Sequence, residues 1–70
     1  MTTGMPRKIR ELVRDLKEAG WYQIPGGKGD HRKFKHDKAK ILVIIPDADN
    51  KDAKPYLEKQ VRKAIDESSR

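Results

Sequence analysis

The segment His31-Arg32-Lys33-Phe34-Lys35-His36 holds both histidines of the chain and three of its cations around a single large apolar side chain. In an extended strand successive side chains alternate faces, so His31, Lys33 and Lys35 share one side while Arg32, Phe34 and His36 share the other. If Phe34 packs inward, His31 stands on the open side beside two lysines, below the glycine-rich turn that carries Lys28. Imidazole can both take and give a proton near neutral pH. Flanking ammonium groups can hold a phosphate and stabilise the extra charge of a phosphorane. The arrangement therefore suits chemistry on a phosphodiester. The structural alternative is a histidine at the mouth of a hairpin, donating a turn hydrogen bond near Asp30. Five residues of strand separate the two histidines by about 16 Å and put them on opposite faces. They cannot act on one phosphate as an acid/base pair, nor bind one metal ion, whose ligands lie about 2 Å away.

Other chemical patterns are weaker. Asp47, Asp49 and Asp52 lack the central glycine and terminal glutamate of a calcium loop, and loop and helix-capping roles suit them better. Gly26, Gly27, Lys28 and Gly29 are not followed by the GK[ST] of a phosphate-binding loop. Trp21 and Tyr22 read as core and edge packing rather than as platforms for stacked bases.

The elements that must position His31 are legible from spacing. Ile9, Leu12, Val13, Leu16 and Ala19 form the stripe of an amphipathic helix over about residues 6 to 19, with Pro6 in its first turn and Gly20 as its stop. Trp21 to Ile24 reads as a short strand, broken by Pro25 and the glycines, and His31 to His36 as a second. Lys40 to Ile45 is apolar and β-branched enough for a central, well-covered strand, closed by Pro46. Tyr56, Leu57, Val61, Ala64 and Ile65 return to helical spacing over about 55 to 67, with Pro55 in the first turn and Lys54 or Asp52 near the cap. The expected fold class is α+β: a single α-β-β-β-α domain over 1–70, with a three-stranded antiparallel meander and both helices on one face. Residues 1–5 and 67–70 are expected to be flexible ends.

Composition sets the scale. Seventy residues, 40% charged and 34% hydrophobic, support one modest core and exclude a multidomain enzyme with a deep pocket. Chemistry must occur on a surface. The absence of cysteine removes disulfides and thiolate metal clusters and suits a reducing compartment. No apolar run approaches the roughly 20 residues needed to span a bilayer, and no signal peptide is evident, so the expected location is cytoplasmic. Most of the net charge of +6 lies between Lys28 and Lys40, where six cations face two carboxylates. A clustered basic patch is the electrostatic footprint of a phosphate-backbone partner.

Gly29-Asp30-His31-Arg32-Lys33-Phe34, following a short helix and a Trp/Tyr-led strand, resembles the HicA (YcfA-like) mRNA interferase toxins, in which a Gly-Ser-His-x-x-aromatic signature opens the second strand. Ile44-Ile45-Pro46 is similar to the end of the family's third strand. The resemblance covers residues 5 to 46 well and the last helix weakly. Asp30 stands where the family has serine, and the loop after Pro46 is acidic where the family commonly has another histidine and a Gly-Thr helix start. The resemblance implies a fold like that of double-stranded-RNA-binding domains and a metal-independent endoribonuclease acting on mRNA with no cofactor. Its catalytic residue would be His31; around it, Lys28, Gly29, Arg32, Lys33 and Lys35 are the residues expected to bind RNA. It also implies a HicB-type antitoxin partner, the toxin being monomeric alone and hetero-oligomeric with the antitoxin. The alternatives are a non-catalytic module of the double-stranded-RNA-binding type, or a basic face that meets only an acidic protein.

Overall fold

The computed structural model describes residues 7–26 and 31–69. The element order is the expected one: α1 (Ile9–Glu18), β1 (Tyr22–Ile24), β2 (His31–Lys35), β3 (Val43–Pro46) and α2 (Pro55–Ser68). The strands form one antiparallel sheet in the order β1-β2-β3. The core lies between this sheet and the helices, where Phe34, Val43 and Ile45 meet Ile9, Leu12 and Leu16 of α1 and Leu57, Val61 and Ala64 of α2. The other sheet face is open. Among the described residues no helix is long and apolar enough to cross a membrane.

Helix α1 ends where the chain turns left-handed at Gly20, φ +96°. Its first N–H groups are met by the loop after β3: Ile9 donates to the Lys51 carbonyl at 2.9 Å and Arg10 to the Asp49 carbonyl at 3.2 Å. That loop therefore caps α1 through its backbone. Its acidic side chains were expected to serve as loop and capping groups, yet Lys54, the N-cap of α2, makes no side-chain capping bond. Asp52 instead pairs with Lys8 at 2.7 Å.

The apolar run at 40–45 departs from expectation twice. It forms an edge strand rather than a central one, and it begins only at Val43. The chain leaves β2 through a tight turn in which Ala39 donates to the His36 carbonyl at 3.1 Å. Residues 40–42 are then consumed in regaining register with Phe34, which pairs with Val43. Continuous hydrophobicity here reflects two surfaces: Val43 and Ile45 fill the core, while Ile44 emerges on the open face.

Trp21, just before β1, ties the sheet to the last turn of α2. This buried indole donates Nε1–H to Ser68 Oγ at 3.1 Å, and the hydroxyl donates in turn to the Ile65 carbonyl at 2.9 Å. Helix α2 thus runs to Ser68, past the point where a flexible end was expected.

Candidate functional site

Alternation along β2 follows the side on which Phe34 is buried. Phe34 is wholly enclosed, and the opposite parity carries His31, Lys33 and Lys35 onto the open sheet face. His31 is exposed, and its imidazole makes no hydrogen bond with the described residues. The lysines are half-buried at their stems. Register supplies their neighbours: His31 lies opposite Pro46, Lys33 lies between Ile24 and Ile44, and Lys35 lies opposite Tyr22. At ~3.3 Å per residue the Cα atoms of Lys33 and Lys35 stand about 7 and about 13 Å from that of His31. The Lys33 ammonium leans toward the end of β1, since a Cβ added to Gly26 would lie 3.6 Å from its Nζ.

The apolar members of this face were not expected to join the site. Tyr22 is 42% exposed and Ile44 37%, and Ile24, half-buried, shares their face on β1. The Tyr22 hydroxyl donates to Asp37 at 2.7 Å, which fixes the ring beside Lys35. That hydrogen bond, with lesser contributions from partial burial and the Asp37 charge, holds the phenol above the ordinary tyrosine pKa. The signal in the sequence was the alternation within Val43-Ile44-Ile45, which exposes every second residue of a run that looks uniformly buried.

Arg32 does not join this group. Its side chain lies on the helix-covered face, 16% exposed, donating to the Pro46 carbonyl at 2.8 Å and to Asp49 Oδ1 at 2.7 Å. His36 is also on the far side, where both ring nitrogens are occupied. The Lys38 N–H donates to Nδ1 at 2.9 Å, which leaves Nε2–H to donate to the Ala19 carbonyl at 3.1 Å. Its ring packs against Trp21 with centroids 5.6 Å apart. The two histidines are thus separated by the sheet. Lys28, Gly29 and Asp30 lie outside the described residues.

The open face therefore combines one solvent-accessible imidazole, a row of ammonium groups, and an apolar strip ending in a fixed aromatic ring. Comparison with known proteins agrees with the fold and the family resemblance. A model of the HicA toxin of bacterial toxin–antitoxin systems matches residues 9–66. A solved structure, a toxin–antitoxin complex from Streptococcus pneumoniae, is similar to this chain at 28% identity and a TM-score of 0.67, covering 87% of this chain and 98% of that one. No curated protein gives a significant match. With 58 of its 70 residues spanned by the family model and the α-β-β-β-α order in place, the chain belongs to the HicA toxin family.

Proposed function

We propose that this protein is a toxin that cleaves mRNA on its open sheet face, with His31 as the single catalytic side chain. The observation that carries the reading is the exposed His31 imidazole aligned with Lys33 and Lys35 on an uncovered face. In the cleavage step the ribose 2′-oxygen attacks the adjacent phosphorus and the bond to the 5′-oxygen breaks, giving a 2′,3′-cyclic phosphate and a 5′-hydroxyl. His31 removes the 2′-hydroxyl proton or supplies the proton that the leaving 5′-oxygen takes up. One histidine can serve either end of this transfer, with water serving the other. Lys33 sits nearest to the attacked phosphate and stabilises its developing charge. Lys35, about 13 Å from His31 along the strand, reaches a neighbouring phosphate. Tyr22, beside Lys35, offers a ring on which an unpaired base can stack, a contact worth about 1–3 kcal/mol per base.

A single strand fits this face better than a duplex, because stacking on Tyr22 requires a splayed base. The partner that restrains such a toxin is a HicB-type antitoxin. The family supports this assignment, and so does the toxin–antitoxin complex with which the chain shares its fold. Cleavage requires no metal in this scheme. Purified protein given a 5′-labelled unstructured RNA in EDTA is expected to yield fragments ending in a cyclic phosphate, with new 5′-hydroxyl ends. Intact RNA, or tight duplex complexes without cleavage, would overturn the reading in favour of a binding module.

A further inference from the structure

Helix α1 carries a second basic surface on the side turned away from α2. Arg10, Arg14 and Lys17 fall at i, i+4 and i+7, one stripe about 10 Å long. With Arg32 rising from β2 they line a cleft of about 480 Å³. Val13 is its apolar lining, and Glu18 and Asp49 are its acidic groups. The acids offset it only in part, four cations facing two carboxylates. Asp49 is taken by Arg32 at 2.7 Å, and the Arg10 guanidinium donates to the neutral Asn50 Oδ1 at 3.2 Å. Arg14 and Lys17 are exposed and make no ion pair or side-chain hydrogen bond with the described residues.

Arg32 lines the cleft as an anchored cation: it donates to the Pro46 carbonyl and to Asp49, and the Asp47 carboxylate stands 3.9 Å from its Nε.

We infer that this cleft binds the phosphate backbone of single-stranded RNA, a contact surface separate from the His31 face; the inference builds on the reading of that face as the cleavage surface. Guanidinium forks match phosphate oxygens, whereas a protein partner needs a central apolar or aromatic anchor, and Val13 is 8% exposed. Contacts of this kind position a strand without reading its sequence. Consecutive residues connect the two surfaces, because His31 and Arg32 point to opposite faces of β2. RNA that passes around this end of the sheet meets the imidazole on one side and the cleft on the other.

The test is fluorescence anisotropy with a labelled single-stranded RNA made uncleavable by 2′-O-methylation, titrated over a series of salt concentrations. Wild type is compared with Arg14→Ala/Lys17→Ala and with Lys59→Ala/Lys63→Ala, which removes the same charge from exposed positions of α2. Two lost phosphate contacts lower the slope of log K against log salt by about 1.4 and weaken binding about 25-fold at 0.1 M salt. The α2 control is expected to stay within about twofold of wild type. Equal weakening of both doubles would reduce the effect to net charge and overturn the cleft, as would unchanged affinity of the α1 double. Loss of poly-glutamate binding with RNA affinity intact would also overturn it, pointing to an acidic protein partner. Cleavage by His31→Ala would contradict the active site and leave the cleft standing, so the two failures are distinguishable.

Discussion

Arg32 holds Asp49 at 2.7 Å from the strand position next to His31, and the same guanidinium nitrogen donates to the Pro46 carbonyl at 2.8 Å. The loop after β3 is thereby fastened behind the proposed catalytic residue. That loop in turn supplies the carbonyls that cap α1, so one side chain ties β2, the end of β3 and the start of α1 together.

Replacing Arg32 by Ala is expected to destabilise the fold by about 2 kcal/mol, the loss of charge-assisted hydrogen bonds. At about 4–8 °C per kcal/mol for a domain of this size, thermal unfolding should shift downward by about 8–16 °C. Arg32→Lys keeps the charge but not the fork and should fall between. A change below about 0.5 kcal/mol for the alanine variant would show that the loop is held by other contacts.

The order of elements and the placement of both histidines are legible in the amino-acid sequence. Alternation around Phe34 puts His31 outside and His36 inside, and the stripe from Ile9 to Leu16 gives α1 its buried face, because both depend on short-range periodicity. Alternation also puts Arg32 on the side of Phe34, but its role there is not legible, for a physical reason: a cation in a basic strand looks like another RNA-binding charge, and its partners, Asp49 and Pro46, are more than a dozen residues away. The same long separation hides Ser68, whose role depends on Trp21, 47 residues away in the chain. The open-face positions of Tyr22 and Ile44 follow from alternation once the strand bounds are known, and in an unbroken apolar run such as Ile41 to Ile45 those bounds are not marked.

Ser68→Ala leaves the buried Trp21 Nε1–H without an acceptor. The expected cost is about 1–3 kcal/mol, read as a lower urea midpoint with an unchanged slope. Ser68→Thr retains the hydroxyl and should recover part of the loss. An unchanged midpoint for the alanine variant would mean that the indole finds another acceptor.

Gly20 is constrained twice. Its φ of +96° disfavours any side chain, and an added Cβ would sit 2.9 Å from His36 Nε2. Gly20→Ala should cost about 1–2 kcal/mol from the backbone alone, and more from displacing the ring. In the double variant with His36→Ala the steric part disappears and the backbone part persists, so the two substitutions should couple in a double-mutant cycle. Strict additivity would contradict the contact.

Tyr22 should titrate above an ordinary tyrosine, because its hydroxyl donates to the Asp37 carboxylate. A Tyr56→Phe background leaves Tyr22 as the only phenol for an ultraviolet titration. Asp37→Asn should bring the midpoint down toward the usual value. Since the folded pKa is raised, the associated stability is fully present below the unfolded tyrosine pKa of about 10 and is lost as pH rises through the folded value. No difference between the two proteins would show that the hydrogen bond does not persist in solution.

The central claim is that His31 alone supplies the proton transfer for RNA cleavage. Single-turnover cleavage of a defined single-stranded RNA by wild type and by His31→Gln tests it most directly. Binding is measured in parallel on the uncleavable analogue, and folding by circular dichroism. General acid–base catalysis contributes about 10²–10⁴-fold, so the rate of His31→Gln should fall by that factor while affinity and spectrum stay unchanged. Cleavage by His31→Gln within about tenfold of wild type would contradict the account.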